Sequence, residues 1–561
     1  MLKTLTVLLL GLFVYAIGAQ AQTLDENGFC DSHPQLCTEK QNNVDYEGNY
    51  VGHDEPSLLF YSNKNGSGNS NVYFITLPKD PSTFPNQAGT AGTANFQLHP
   101  AFWIGMAMCD SQSSPNFTSV CNRDTDANIF DNPNPLAADY IGHHPGVAFM
   151  EMQFYPPGWV LWPAGNSCDA SRWCAALNID SLSEKVGPTG TIFNNLSCRN
   201  SAGDEYVNFA FLTNNGVAQD AADPQNGSNA KFTADPNKAF FMNSGDTLVV
   251  IQHDTPAGFT VEILDLNTGA RGSMTASTAN GFAQLKFDPT ATNCTSLPYA
   301  FHPMYATSSE HTRVTWAAHS YNVAFSDEIG HFEYCSTATG ANFYFNCPAG
   351  GGDPSGSRDA DDNYCFGPGA SSFYPIGGCL NLFTGGDTDF DGPEYRLNWP
   401  GTLANAGTDL ALHGTPTRFT SPLFAATDDD MDKLHLQNYS RAAFETDLPA
   451  IEGSACNRTT GAGCTNPPVT GSFYPIYTTI ASEGQEGCVW QEGGALIPHT
   501  INSFGGTSTT EYGPLVLLYY PAGPAPGFFS RLEDFRQVLN NNPCKASKNL
   551  IEEIGGEDDD N

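Results

Sequence analysis

The residues that come nearest to naming a chemistry are three aspartates in Asp387-Thr-Asp-Phe-Asp-Gly392. Carboxylates at alternate positions with glycine at the sixth allow a tight loop to wrap its oxygens around a hard cation, so Asp387, Asp389 and Asp391 are expected calcium ligands. An EF-hand would continue to a bidentate Glu at position twelve, but here that position is Asn398 and no flanking helices are evident. The spacing recurs without the glycine at Asp359, Asp361 and Asn363 and again at Asp124, Asp126 and Asn128, which makes these weaker calcium candidates. The competing reading of each loop is a solvated acidic turn.

Two further chemistries have candidate residues. Glu151, Asp327, Glu328 and Glu333 lie among aromatic residues, Phe149, Phe154, Tyr155, Trp159 and Trp162 near the first and Phe325, Phe332 and Tyr334 near the others. Paired carboxylates are what glycoside hydrolysis needs, although on a strand they are more often solvated and the aromatics more often core. His143, His144, His302, Met304, His311, His319 and His331 offer nitrogen and sulfur donors of the kind copper takes. The adjacent histidines and the methionine are similar to the ligands of two-jelly-roll copper monooxygenases, but the His-x-His pair of those enzymes is missing, so copper is the least favoured cofactor. There is no Gly-x-Ser-x-Gly elbow, His-Glu-x-x-His helix or P-loop, which removes the usual support for serine hydrolase, zincin and nucleotide chemistry.

Charge narrows the partners. With 23 Lys and Arg against 60 Asp and Glu, the net charge of -37 repels phosphate backbones and anionic membrane surfaces. Nucleic acid is excluded as a natural partner.

The elements that must position these residues read as strands in an exported chain. Lys3, an apolar run from Leu5 to Ile17 and Ala19-Gln-Ala21 form a secretory signal peptide over 1–21, too short to span a bilayer. No later stretch is apolar enough to span one. The 16 cysteines all follow that segment and suit disulfides, with local spacing suggesting Cys30–Cys37, Cys109–Cys121, Cys168–Cys174, Cys335–Cys347, Cys365–Cys379 and Cys456–Cys464. Asn-x-Ser/Thr sequons stand at Asn65, Asn116, Asn195, Asn226, Asn293, Asn438 and Asn457, to be glycosylated only in a host that glycosylates.

Between Val147 and Tyr155, Met150, Met152 and Phe154 fall on one face and Glu151 and Gln153 on the other, the alternation of a half-buried strand. From Thr247 to Phe287 strand-like runs alternate with turns at Asp254-Thr-Pro-Ala-Gly258 and Asn267-Thr-Gly269, a β-meander by pattern. Abundant Gly (55) and Pro (38) with short apolar runs point to an all-β fold of sandwich or jelly-roll layers. The expected organisation is a β-rich region over 22–347, a Gly/Pro/Ser linker or long loop over 348–358, a second β-rich region over 359–544 and an acidic tail over 545–561. Ser372-Phe-Tyr-Pro-Ile376 recurs as Ser472-Phe-Tyr-Pro-Ile476 within the second region. One helix is expected near the C-terminus, where Ser530-Arg-Leu-Glu533 forms a capping box and Leu532, Phe535 and Leu539 repeat at helical spacing, with Cys544 placed to staple it.

Several stretches together, Asp54-Glu-Pro-Ser-Leu-Leu-Phe-Tyr-Ser62, Phe149-Met-Glu-Met-Gln-Phe-Tyr-Pro-Pro-Gly158, Trp173-Cys-Ala-Ala-Leu-Asn-Ile-Asp-Ser181, Glu328-Ile-Gly-His-Phe-Glu333 and Asp389-Phe-Asp-Gly392, resemble an uncharacterised family of large secreted microbial proteins. The resemblance runs over most of the mature chain and implies export, with no activity attached. The expectation from all of this is a secreted, disulfide-stapled β-sandwich protein that binds carbohydrate or a cell-surface component, with calcium as a structural ion. A polysaccharide-active enzyme is the alternative, ahead of a copper oxidase or monooxygenase.

Overall fold

The computed structural model describes residues 57–79, 101–112, 147–157, 168–303, 323–328, 417–427, 435–448, 477–481, 488–492, 516–520, 528–538 and 541–547, apart from a few positions within these ranges. Residues 1–21, 348–358 and 548–561 lie outside them, whereas Lys545, Ala546 and Ser547, expected in the acidic tail, are part of the fold: Ala546 is buried and its N–H donates to Asn438 Oδ1 at 2.9 Å.

The chain before residue 304 supplies β1 (Ser57–Tyr61), β2 (Ser70–Thr76), β3 (Ala101–Cys109), β4 (Val147–Tyr155), β5 (Arg172–Leu182), β6 (Glu184–Gly187), β7 (Gly190–Phe193) and β8 (Glu205–Phe211). It continues with β9 (Phe241–Asn243), β10 (Thr247–Thr255), β11 (Gly258–Asp265), β12 (Arg271–Thr275), β13 (Ala283–Leu285) and β14 (Ser296–Pro298). After these come β15 (Val323–Glu328), β16 (Arg418–Phe419), β17 (Leu423–Ala425), β18 (Leu436–Asn438) and β19 (Arg441–Leu448). The last four are β20 (Tyr477–Ala481), β21 (Cys488–Glu492), β22 (Val516–Tyr520) and β23 (Phe528–Val538). Two short helices, α1 (Leu196–Ala202) and α2 (Asn229–Phe232), interrupt them.

Two large antiparallel sheets carry the fold. One has ten strands in the order β22-β23-β19-β1-β15-β3-β4-β5-β8, with β9 also paired to β5. The other has nine in the order β12-β11-β10-β2-β16-β21-β20, with β17 and β18 attached through β2. The all-β expectation holds, and the meander is seen as β10, β11 and β12 in register. Gly258 closes its first hairpin at φ +135°, where a side chain would also collide with Ala276 O, so only glycine fits that turn.

Alternation sorts the core. Phe102, Ile104, Met106 and Met108 of β3, Ala148, Met150, Met152 and Phe154 of β4, and Trp173, Ala175, Leu177 and Ile179 of β5 join one cluster with Tyr73, Ile75, Leu248 and Val250 of the other sheet. Phe325 of β15 stacks on Phe419 of β16 with centroids 3.6 Å apart, and Tyr73 donates across the gap to Ala324 O at 3.1 Å. β1 pairs with both β15 and β19, and β2 with both β10 and β16. Strands from either side of residues 348–358 therefore lie side by side in both sheets, so the boundary expected there does not divide the sheets.

The C-terminal segment departs from expectation. Residues 528–538 form β23, an eleven-residue strand, where the capping box at Ser530 and the spacing of Leu532, Phe535 and Leu539 predict a helix. β23 pairs with β22 over residues 528–532 and with β19 over residues 533–538, so each half of the strand is hydrogen-bonded to one neighbour. That pairing outweighs a local helical signal worth only tenths of a kcal/mol per residue.

Disulfides fix three points. Cys168–Cys174 is the local pair expected from spacing, whereas Cys198–Cys294 spans 96 residues and Cys488–Cys544 spans 56. Cys109 is also disulfide-bonded, and no free cysteine occurs among the described residues. The other pairings expected from spacing involve residues outside the described set.

One layer of the core is polar. Gln252 of β10 and Asn71 of β2 face each other in register and are fully buried. Asn71 Nδ2 donates to Met106 Sδ at 3.0 Å, but Asn71 Oδ1 and both amide atoms of Gln252 have no partner. Leaving a buried donor or acceptor unpaired costs about 1–3 kcal/mol. Gln252→Met keeps the shape and removes two such atoms, so chemical denaturation should show it more stable than the parent by about that amount. Phe325→Ala, which empties the contact between the sheets, should instead lose about 3–5 kcal/mol.

Candidate functional site

Alternation that sends Met150, Met152 and Phe154 inward sends Phe149, Glu151, Gln153 and Tyr155 to the outer face of the ten-stranded sheet. Register then sets their neighbours. Glu151 lies between Gly105 of β3 and Asn178 of β5, and Gln153 lies between Trp103 and Ala176. Of the carboxylates singled out in the sequence, Glu151 is thus placed in a polar environment, 6 % exposed. Asp327 and Glu328 fall on β15, and Glu333 lies outside the described residues. Phe154 and Phe325 belong to the core, whereas Tyr155 joins the polar row.

A directed chain of hydrogen bonds runs along that row. Asn178 Nδ2 donates to the Tyr155 hydroxyl at 3.3 Å, the hydroxyl donates to Gln153 Oε1, and Gln153 Nε2 donates to Glu151 Oε2 at 2.5 Å. Each donor points toward the carboxylate, so the bonds polarise one another in one direction. Asn178 is 3 % exposed, and its carbonyl oxygen Oδ1 has no hydrogen-bond partner. The indole of Trp103 lies across Gly105: a Cβ at that glycine would come within 2.3 Å of Trp103 Cζ3. A flat aromatic ring therefore sits beside a carboxylate, a carboxamide and a phenol on one face.

The flanks of the row differ. On one side Phe209 and Phe211 of β8 pack with Phe232 of α2 and with Ala234 and Ala239, closing that edge. Lys231 of α2 is buried there, donating to Asp223 O at 3.0 Å. Burial lowers its pKa to about 8 against the opposing pull of Asp223, Asp220 and Asp180. Toward the end of β4, Gln153 and Tyr155 are half-buried, and Arg172 stacks over the Phe241 ring at 4.1 Å while its guanidinium holds Asp169 at 2.7 Å. This is the more open end of the face.

Other polar clusters are structural in form. Asp110 is fully buried and accepts from the Tyr206 hydroxyl at 2.6 Å and from Gln284 Nε2 at 2.5 Å. His302, a copper candidate, bonds through Nδ1 to Asp254 at 2.7 Å, and His253 lies 3.7 Å from Glu262, lowering the pKa of that carboxyl. The remaining copper candidates, His143, His144, Met304, His311, His319 and His331, lie outside the described residues, as do all nine calcium candidates from Asp124 to Asp391. Among the described residues no three His, Cys, Asp or Glu side chains gather as a metal site. The sequon at Asn195 is enclosed: its side chain caps α1 by accepting from Cys198 N and donates to Asp288 O, whereas Asn293 is exposed.

Alternation places Gln153 on the face of Glu151 and Tyr155 is named among its aromatic neighbours, but the sequence reading makes neither a hydrogen-bonding partner, and Asn178 and Trp103 are not singled out by residue type. Asn178 and Trp103 needed the register.

No family model matches the chain, and no curated protein matches it in sequence. Among solved structures, the chain is similar to a Scytalido-glutamic peptidase crystallised with a peptide-based transition state analog, at 9 % identity over 44 % of this chain and 74 % of that one, with a TM-score of 0.15. A second is full-length tailspike protein 2 from Escherichia coli O157:H7 bacteriophage CAB120, at 12 % identity over 47 % of this chain and 23 % of that one, also with a TM-score of 0.15. Likenesses this slight carry no argument about fold or function.

Buried phenols make the structure sensitive to alkali. Burial raises the pKa of Tyr73 well above the usual value, burial and then the charge of Asp110 do so for Tyr206, and burial followed by Asp110 does so for Tyr299. An unfolded chain ionises tyrosine near pH 10. Because the folded values lie higher, the stability these groups contribute is fully present below about pH 10 and is lost as pH rises through the folded values. Absorbance at 295 nm should show tyrosines that ionise only as near-ultraviolet circular dichroism collapses; complete ionisation with the dichroism intact would contradict their burial.

Proposed function

We propose that the chain is an exported protein that recognises carbohydrate or a cell-surface component, and that the ligand lies against the outer face of the ten-stranded sheet. The observation that carries this reading is the Glu151–Gln153–Tyr155–Asn178 hydrogen-bonded row on that face, of which the Gln153 carboxamide and the Tyr155 ring are partly exposed. Sites for small polar ligands combine apolar or aromatic surface with a few fixed polar groups, and sugar rings present both kinds of surface. Disulfides suit an oxidising compartment, and no helix among the described residues is long and apolar enough to cross a membrane.

A polysaccharide pull-down with the mature protein should retain it on at least one glycan or cell-wall fraction, and Tyr155→Ala should lose most of that retention while remaining folded by circular dichroism. Retention on none would overturn the reading. Release of reducing sugar from the retained polymer would make the protein a glycan-active enzyme rather than a binder.

Calcium belongs to the same proposal, at Asp387, Asp389 and Asp391, with the loops at Asp359 and Asp124 as lesser sites. Three carboxylates completed by carbonyls and water suit an extracellular-type affinity on the order of 10⁻⁴–10⁻³ M. Millimolar calcium should raise the melting temperature relative to chelator in the parent by mass action, and less in Asp389→Ala. Equal shifts in both proteins would remove the site from that loop, and no shift in the parent would remove calcium.

A further inference from the structure

We infer that Asn226 is a site of spontaneous modification: the main-chain nitrogen of Gly227 attacks its carboxamide, ammonia leaves, and the residue becomes aspartate and isoaspartate. The inference is independent of any ligand. It starts from the Asn-Gly pairs of the chain, in which no Cβ on the following residue obstructs the approach of its nitrogen to the side-chain carbonyl. The pairs that lie wholly within the described residues are Asn215-Gly216, Asn226-Gly227 and Asn280-Gly281.

The fold holds these pairs differently. Asn280 is buried, its Oδ1 accepts from Ala218 N at 3.0 Å, and its Nδ2 donates to Thr275 O at 3.0 Å and Gly216 O at 3.2 Å. Its amide is locked and shielded from the water that must complete the reaction. Asn215 is exposed, and its Oδ1 accepts from Thr213 Oγ1 at 3.1 Å and Val217 N at 3.2 Å. The nitrogen beside it is less available: Gly216 N donates to Thr213 O in a long bond of 3.5 Å, at φ +71°, with Ser273 Oγ 2.9 Å from where a Cβ would stand.

Among the described pairs, Asn226 combines a held carbonyl with an unengaged nucleophile. Ser228 N donates to Asn226 Oδ1 at 3.2 Å, closing a ring that contains both Cγ and the Gly227 nitrogen. That N–H polarises the carbonyl and faces the oxygen on which charge develops during attack. Gly227 is exposed, its N–H donates to no described residue, and nothing lies within 4 Å of where its Cβ would be. Base removes the Gly227 amide proton, the N–Cγ bond forms as the Cγ–Nδ2 bond breaks, and the departing nitrogen takes up a proton to leave as ammonia. Water then opens the cyclic imide at either carbonyl. One opening gives aspartate; the other gives isoaspartate, with the main chain rerouted through the side chain.

The surrounding loop depends on the group that is lost. Asn226 Nδ2 donates to Ala221 O at 2.9 Å, and Asp220 Oδ2 accepts from Ser228 Oγ at 2.5 Å. The same hydroxyl oxygen caps α2 by accepting from Lys231 N at 3.2 Å. The Ser228 hydroxyl and then the Asn226 amide hold the Asp220 carboxyl below its usual range, which sets these three side chains together. A carboxylate at 226 turns an acceptor toward the Ala221 carbonyl and a like charge toward Asp220. Isoaspartate also lengthens the main chain within the ring closed by Ser228 N. Either product loosens the cap of α2, whose Phe232 packs on Phe209 of β8.

Because Asn226 begins an Asn-Gly-Ser sequon, the test uses mature protein from a host that attaches no N-glycan to the leaving nitrogen. It is incubated at neutral and mildly alkaline pH, and its peptides are mapped by mass spectrometry with isoaspartate methyltransferase labelling. Asn226 should convert first, faster than Asn215 by about threefold or more, with Asn280 intact. Conversion should quicken with pH, since the nucleophile is the deprotonated amide. Gly227→Ala places its methyl in open space at a φ outside the left-handed region, so it should melt with the parent. It should slow conversion at Asn226 about tenfold and leave Asn215 unchanged. Asn226→Asp should melt roughly a few degrees below the parent. An intact Asn226, conversion of Asn215 or Asn280 ahead of it, or equal conversion in Gly227→Ala would each overturn the site. Asn226→Asp melting with the parent would overturn the loosening of α2.

Discussion

Phe325 and Phe419 stack nearly parallel in the space between the two sheets, and the rest of the molecule is arranged around that contact. Phe325 also stacks on Phe102, which stacks on Phe154, so one column of rings ties β15, β3 and β4 to the opposite layer. Tyr477 packs edge-on against both Phe325 and Phe419 and brings β20 into the same contact. The strands involved come from distant parts of the chain. Aromatic burial of this size is what offsets the chain entropy of joining segments hundreds of residues apart. With the inward faces committed to that column, strict alternation leaves the outward residues of β3, β4 and β5 no freedom of direction.

Much of this was legible in the sequence, and the limits have physical causes. The strand at Val147–Tyr155 could be read because one of its faces is uniformly apolar and the other carries Glu151 and Gln153. The meander from Thr247 could be read because its turns are short and local. β1 is different: all five of its residues are buried, so it has no polar face to mark its period. β23 misled because a capping box and helical spacing are local signals, whereas its actual partners are β19 and β22. Cys168–Cys174 is a six-residue closure that spacing reveals; Cys198 and Cys294 are brought together only by the folding of the strands between them.

The outer face shows the same division. Glu151 stood out as a carboxylate among aromatics, but nothing in Asn178 as a residue type suggested a role. Only the register of β4 with β5 sets its carboxamide beside that carboxylate, and only the register of β3 with β4 sets Gly105 and the ring of Trp103 next to both. Polar groups buried at this density are expensive unless satisfied, and the directed bonding of Asn178, Tyr155 and Gln153 meets most of that cost internally.

The most direct test of that account is a crystal structure of the protein with a neutral oligosaccharide bound. The account predicts the sugar on the outer face of the ten-stranded sheet, in contact with the partly exposed Gln153 and Tyr155 at the end of β4. A sugar bound elsewhere on the molecule, with Gln153 and Tyr155 untouched, would contradict it.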